Sequence, residues 1–496
     1  MSRFSRRDWL AHCTAGLAWS STSWAGSQPP ASRGTVPAGT VPSGTVPSGT
    51  VPSGTDRAGA VAAQGADPAR PPMPAAGEQE PGPGPGSQQI REISPRDAAE
   101  LQQALFRAAG SGDTLRVATP RSLLLPLRED RVGRHAEISR HALLIPEGVR
   151  LDLNGSTLGL ELRANGHGVR LSNDSAIRHG TIEIVASEGK GSQACWHSAV
   201  SVGAPYGDGG TPDQPGHFVR VAHWEAADLT IRQPFAAAGI QLMSAASWGA
   251  LRRITIADSK QALLGVGMDW GSVGPVNSAD EQLPLMRRLW ERGEIQTTHP
   301  HDVLVEDLRV GRLARQQDGN DAGLRCSACH RITVRRLHVV EAGVAVALFG
   351  GDLGYEFALP DQRDEAHRGY DLAGVSIDRA TLFGIVLNGL ADNVWRARER
   401  QLDTPRLDPT QPGLVEPRLR DVRLRGAGGK SQGVYAVSVT NGTFDDVEIS
   451  GFETGIHPED WVNGLTFERT RLRDNRHPIR VEGTRAPARG VEVRPG

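Results

Sequence analysis

Short apolar alternations recur along most of this chain. Gly239-Ile240-Gln241-Leu242 leads to Leu251-Arg252-Arg253-Ile254-Thr255-Ile256, and Ala322-Gly323-Leu324-Arg325-Cys326 leads to His330-Arg331-Ile332-Thr333-Val334. Gly343-Val344-Ala345-Val346, Gly384-Ile385-Val386-Leu387-Asn388, Gly433-Val434-Tyr435-Ala436-Val437 and Gly455-Ile456-His457 continue the series. Each glycine-led segment is followed by a turn and a second alternation such as Phe444-Asp445-Asp446-Val447-Glu448-Ile449. Alternation with period two predicts strands that turn one side chain inward and the next outward. Their return at an interval of roughly 20–30 residues predicts a solenoid whose coils each touch only their neighbours. A β-sandwich would require hairpin turns between strands, and this repeat runs in one direction.

Ahead of the strands, Ser94-Pro95-Arg96-Asp97 predicts a helix start, with Ser94 as the cap and Pro95 at the first helical position. Leu101, Leu105 and Ala108 follow at helical spacing, and Gly110 ends the helix. Next come the strand Gly112-Asp113-Thr114-Leu115-Arg116-Val117 and the run Ile145-Pro146-Glu147-Gly148-Val149-Arg150-Leu151-Asp152-Leu153-Asn154-Gly155-Ser156-Thr157-Leu158. This order resembles the entrance of right-handed parallel β-helix proteins of the pectate-lyase-like superfamily, in which a short amphipathic helix covers the open end of the first coil. The resemblance extends from about Ser94 to about Gly483. It implies an all-β, single-stranded, right-handed parallel β-helix with an N-terminal cap helix, expected over residues 90–485 with a tail at 486–496.

Composition narrows the function classes. The chain of 496 residues has 59 Gly and 33 Pro, only 5% aromatic residues, and a formal net charge of −2. No basic surplus favours nucleic acid as a partner. No apolar run reaches the ~20 residues of a spanning helix. Lysine occurs only at Lys190, Lys260 and Lys430, so arginine and histidine must do the cationic work. Ser5-Arg6-Arg7-Asp8-Trp9-Leu10, before a modest apolar stretch, resembles a twin-arginine export signal with cleavage after Ala25. Residues 26–89 carry a Gly-Thr-Val-Pro-Ser repeat and predict a disordered tether. The expected location is therefore periplasmic or secreted, and the expected oligomeric state is monomeric. Cys195, Cys326 and Cys329 would follow the cleaved segment. That odd count is no disulfide framework, and Cys326-Ser327-Ala328-Cys329 lacks the second pair a four-thiolate zinc site needs.

Candidate chemistry lies where long insertions break the rhythm, at about 186–225, 271–298, 350–370 and 394–417, since loops of that length on a compact scaffold are usually functional or disordered. Trp196, Tyr206, Trp270 and Tyr355 are candidate sugar-stacking residues, with Asn388 as a polar substrate contact. The register of the glycine-led strands predicts Gln241, Asp269, Arg325 and Asn388 on one outward row, with Asp269 and Arg325 as neighbours. Thr297-Thr298-His299-Pro300-His301-Asp302 is the densest polar cluster, with His299, His301 and Asp302 as acid/base candidates. Its Pro300-His301-Asp302 portion resembles the "DPHD" motif of periplasmic mannuronan C5-epimerases, although His299 stands at the first acidic position and that family's downstream Arg-Ser-His is missing. Asp352 and Glu356 form a second carboxylate pair, suited to glycosidic acid/base work or to calcium, the one cofactor these residues admit. No metal ligand set is assigned. These features point to a carbohydrate-active protein on an acidic polysaccharide, by lyase, epimerase or hydrolase chemistry; the alternative is a non-catalytic binder of glycan or envelope surface.

Overall fold

A computed structural model describes residues 89–126, 141–162, 167–187, 198–203, 221–232, 238–243, 246–259, 263–269, 299–313, 321–327, 329–350, 367–389, 413–483 and 487–496. All strand pairings among them are parallel and join one coil to the next. Three columns of strands run up the protein. The first stacks Arg150–Asp152, Ala176–Arg178 and Glu225–Ala227, and continues to Thr443–Asp445 and Thr466–Glu468. The second follows each of these after one corner residue, as Leu229–Ile231 stacks on Ile254–Ile256 and that on Leu308–Val310. The third holds the glycine-led strands, from His141–Ile145 through Leu264–Asp269 and Ala322–Ser327 to His477–Ile479. The chain is thus a parallel β-helix.

Inward positions form one continuous apolar core that includes Leu143, Ile177, Ile254, Leu324, Leu387 and Phe467. Like stacks on like: the Phe444 and Phe467 rings face each other with centroids 4.5 Å apart, close to the ~4.8 Å between hydrogen-bonded strands. The helix Ala98–Arg107 lays Leu101 and Leu105 over the first coil, both fully buried. Its N-cap is Asp97 rather than Ser94, because the Asp97 carboxylate accepts the Glu100 amide hydrogen bond at 2.9 Å. Past residue 485 the chain does not trail off. Arg489–Pro495 is one more strand, stacked on Asn463–Arg473, with Val491 and Val493 packed against the core. Nor is 186–225 a single insertion: Ser198–Val202 belongs to the third column, and Trp224 is a core residue at 2% exposure.

The recurring glycine has a steric cause. A Cβ on Gly265 would lie 2.5 Å from the Gly323 carbonyl oxygen, and one on Gly384 2.5 Å from that of Gly433. The entry to each third-column strand therefore leaves room for a hydrogen atom against the backbone of the next coil. Ala345 occupies the equivalent place beside a register shift at Ala342/Val344. Two corners are turned by residues with left-handed φ. One column is His179, Asp228, Arg253, Asp307, Arg336, Gly374, Asp421, Asp446 and Arg469; the other includes Asp174, His223, Trp248, Asp302, Arg331, Gly369, Glu416 and Asn441. Such a φ disfavours ordinary L-residues by about 1–2 kcal/mol, so here it marks the turn of the coil and not a local distortion.

The inner glycine column makes a direct prediction. In Gly433→Ala the new Cβ would meet Ile449 Cγ2 at 2.3 Å and the Gly455 carbonyl oxygen at 2.4 Å. Urea unfolding should show a loss of about 1–3 kcal/mol from overpacking; an unchanged midpoint would refute the steric reading.

Candidate functional site

The third-column strands end where the chain turns back toward the first column, and the polar residues gather there. Asp269 closes the strand Leu264–Asp269, and Asn388 closes Asp371–Asn388. The single expected row is two rows. Gln241 and Arg325 align through Gly267. Asn388 aligns with Phe349 and Ser327, two positions further on, and Asp269, opposite Met243, belongs to that second row. Arg325 nevertheless reaches across one coil to Asp269, Nη2 to Oδ2 at 3.1 Å, with both side chains nearly buried. The outer surface around them is apolar, with Ala322, Val344, Ala347, Phe349 and Val386 in a second buried cluster. In such surroundings an unpaired charge would be costly, and the pairing removes that cost. Arg325 Nε has no hydrogen-bond partner among the described residues.

The turn that follows carries a second cluster. His301 and His330 occupy the same register position in adjacent coils, so their rings stack with centroids 4.9 Å apart and planes within 6°. The residues after them, Asp302 and Arg331, both sit at the left-handed corner and project side by side. Asp302 receives Arg331 Nε at 2.8 Å on Oδ1 and Nη2 at 2.8 Å on Oδ2, a two-pronged contact. Its Oδ2 also lies 2.6 Å from His301 Nδ1. Burial opposes ionisation of Asp302, but hydrogen bonds from His301 and Arg331 and the guanidinium charge outweigh it and hold the carboxyl at about 2. With Asp302 ionised, His301 Nδ1 is the donor, which leaves Nε2 as the basic nitrogen of the ring. Trp248 meets His301 edge-on at 5.1 Å and stacks with His223 at 5.9 Å, extending the aromatic row by two coils.

Behind this row the interior is imidazole-rich. His299 and His367 are fully buried and His330 is 3% exposed. Burial pushes His299 and His330 well below the ordinary histidine range, aided by neighbouring imidazoles and, for His330, by Arg331. Burial likewise takes His367 down to about 3, against the effect of a backbone hydrogen bond with Phe349. These rings are neutral at ordinary pH. Tyr370 ties them to the backbone: its hydroxyl donates to the Cys329 carbonyl at 2.6 Å and lies 3.3 Å from His367 Nδ1. Cys326 and Cys329 are buried free thiols. Burial and the adjacent Cys326 push the Cys329 thiol far up, so it is a packing residue and not a nucleophile. Cys329 Sγ also lies 3.9 Å from the Met268 carbonyl, which links the strand carrying Asp269 to the histidine turn.

The structure therefore brings together Asp269 with Arg325, and His301 with Asp302, while His299 lies inside the coil. Asp352, Glu356, Trp196, Tyr206, Trp270 and Tyr355 fall outside the described residues, as does Cys195. Reading the chain alone missed His223, Trp248, His330, Arg331, His367 and Tyr370. Trp248, His330 and Arg331 had a usable signal, since Ser247-Trp248-Gly249-Ala250-Leu251, His301-Asp302-Val303-Leu304-Val305 and His330-Arg331-Ile332-Thr333-Val334 are the same coil position in succession. No cation is needed to balance Asp302 or Asp269, because an arginine already neutralises each.

No protein-family model matches the chain, and no curated protein is similar to it in sequence. Solved structures similar in shape include a tailspike protein of the E. coli bacteriophage HK620, at 11% identity and a TM-score of 0.46, covering 77% of this chain and 59% of that one. A tailspike structure from the same phage in complex with a hexasaccharide has 12% identity and a TM-score of 0.46, covering 81% of this chain and 61% of that one. The A-module of a mannuronan C-5 epimerase of Azotobacter vinelandii has 14% identity and a TM-score of 0.29, covering 79% of this chain and 96% of that one. The chain thus spans about three-fifths of the tailspike chains.

The depressed Asp302 carboxyl predicts a pH signature. A shift from 3.8 to about 2 corresponds to stabilisation on the order of 2 kcal/mol. It is present in full above the unfolded-state value and is lost as pH falls through the folded one. The stability gap between wild type and Asp302→Asn should be widest above pH ~5 and close toward pH ~2. Chemical denaturation across that range measures it, and a gap independent of pH would rule out the ion pair as its source.

Proposed function

We propose that this chain is an exported, carbohydrate-active β-helix protein that moves a proton on an acidic polysaccharide. The observation that carries this reading is the arrangement of His301, Asp302 and Arg331, an imidazole held in one tautomer by a carboxylate that is itself clamped by a guanidinium. With Nδ1 held as donor to Asp302, Nε2 is the ring nitrogen left to act as general base. Uronate lyases and C5-epimerases both begin by removing the proton alpha to the sugar carboxylate. Arg325, with its Nε facing no protein acceptor among the described residues, would neutralise that carboxylate and stabilise the enolate-like charge that follows.

Hydrolysis is less well supported. It requires a carboxyl group kept protonated as general acid. Asp302 is held near 2, and Asp269 is paired with Arg325. Asp352 and Glu356 would have to supply that acid, or a calcium site, from outside the described residues. Trp248 and His223 offer a ring surface of the kind that sugar faces stack on. The export part of the reading rests on Arg6-Arg7 and the apolar stretch behind them, which would direct the protein to the periplasm or outside the cell.

One observation favours the second reading, a non-catalytic glycan binder. His301 is only 3% exposed and packed between Trp248 and His330, as a purely structural ring would be. A panel of acidic polysaccharides decides between the two, with unsaturated-uronate absorbance, exchange of solvent deuterium into product and new reducing ends as readouts. Catalysis predicts that His301→Gln lowers the rate by about 10²–10⁴-fold while glycan binding persists. Binding to a glycan without turnover in any assay, unchanged in His301→Gln, would sink the enzyme reading.

A further inference from the structure

Far from the histidine turn, near the C-terminal end of the solenoid, a second group of side chains converges. His457 lies on the strand Thr454–Pro458, Glu459 follows directly, and Glu482 comes from the next coil. The backbone sets this approach: Arg480 N donates to the Ile456 carbonyl at 2.9 Å and Glu482 N to that of Pro458 at 3.0 Å, so residues 480–482 continue the stacking past the strand His477–Ile479. One ligand atom from each of His457, Glu459 and Glu482 lies within 4.8 Å of the other two.

Each of the three side chains is held by its other polar atom. His457 Nδ1 is 2.7 Å from Gln432 Oε1, an acceptor, so Nδ1 carries the hydrogen and Nε2 the lone pair. Tyr435 donates its hydroxyl to Glu459 Oε2 at 2.9 Å, and Oε1 lies on the side of the histidine. Arg480 Nε donates to Glu482 Oε1 at 2.6 Å, leaving Oε2 toward the same point. His457 is 4% exposed, and its Nε2, 3.6 Å from Glu459 and 3.4 Å from Glu482, makes no hydrogen bond among the described residues. A lone pair facing two carboxylate oxygens is repulsive unless something positive lies between them. The separations are too long for a shared proton in a hydrogen bond. They do match two ligands on a common ion: bonds of about 2.0–2.1 Å at tetrahedral angles put the ligand atoms roughly 3.3 Å apart.

We propose that His457, Glu459 and Glu482 bind a divalent first-row transition ion that fastens the last coils of the solenoid together. One imidazole with two carboxylates suits zinc or its neighbours, whereas calcium would call for six to eight oxygens. Gln432, Tyr435 and Arg480 are the outer partners that orient the ligands, as supporting hydrogen bonds do in built metal sites. The ion would join the strand Thr454–Pro458 to the segment at Glu482, where stacking is thinnest because His477–Ile479 is exposed along its whole length. The site is independent of the proposed chemistry at His301.

The test uses the full chain after treatment with chelator. Zinc chloride is titrated calorimetrically into wild type, His457→Gln and Glu482→Gln, and thermal unfolding is followed with zinc and with EDTA. Cobalt(II) serves as a coloured probe of coordination. Expected are a zinc event in wild type that weakens at least tenfold in each variant, an unfolding temperature raised by zinc and restored by EDTA in wild type only, and cobalt bands lost in the variants. The Glu482→Gln variant guards against misfolding of His457→Gln, because Glu482 is partly exposed. Identical zinc titrations and identical zinc-induced shifts in wild type and Glu482→Gln would overturn the proposal, since any binding would then reside on other residues.

Discussion

Each described strand finds its backbone hydrogen-bond partners in a neighbouring coil, and most are paired on both sides. That constraint governs the rest. A parallel register admits no slip without turning a whole strand inside out, so each coil meets the same steric problem at the same place. The glycine at the entry to the third column, the left-handed residue at each of two corners, and the apolar residues of the core are solutions repeated coil after coil. A coil without an insertion returns after 25 residues, as Arg253 meets Asp228, and one carrying an insertion after 54, as Arg252 meets Glu306. The column absorbs both lengths equally well, because only the stacked segments are tied.

Stacking also explains the chain's dependence on arginine. Outward columns place charges directly above one another, and like charges there would repel. The protein alternates them: Arg252 bridges Glu225 and Glu306, and Asp371 takes both Arg335 and Arg420. A forked guanidinium spans two coils in a way a single ammonium does less well. At exposed corners each such pair contributes little. At Asp302 and Asp269 the same device operates where water is scarce. At Asp302 it holds the carboxyl well below its usual range, while burial keeps His299, His330 and His367 neutral.

Much of the architecture was legible in the chain. The Gly-apolar-x-apolar motif marked the third column, and the order of helix, strand and Ile-Pro-x-Gly-Val marked the entrance. The end was missed because Arg489-Gly490-Val491-Glu492-Val493 looks like a charged tail until its valines are seen to continue a column. Ser198–Val202 was hidden inside what looked like one long insertion. At the site, Pro300-His301-Asp302 stood out as a local cluster, whereas Asp269 and Arg325, expected on one row, sit on two and meet because the long arginine side chain reaches across. Arg331 and His330 escaped notice because their meaning depends on a partner 29 residues earlier, and neither carries a distinctive local pattern. His299 was prominent in the sequence, but it lies in the turn before the strand His301–Arg312 and is fully buried. Side-chain direction there changes with a single residue, and composition holds no record of it.

The strand Arg489–Pro495 has a consequence for how coils could stack on one another. A solenoid has no intrinsic stopping point, and a bare terminal edge would invite another molecule to stack on it as the next coil, leading to fibres. Here the final edge, Arg489–Pro495, carries Arg489 and Arg494 with Pro495 at its end, and most of its residues are exposed. Proline cannot donate to an incoming ladder, and two copies brought edge to edge would oppose arginine to arginine. At the other end the helix Ala98–Arg107 covers the core of the first coil. The described coils thus present at either face, a helix at one and a charged, proline-ended strand at the other, a surface poorly suited to template a further coil.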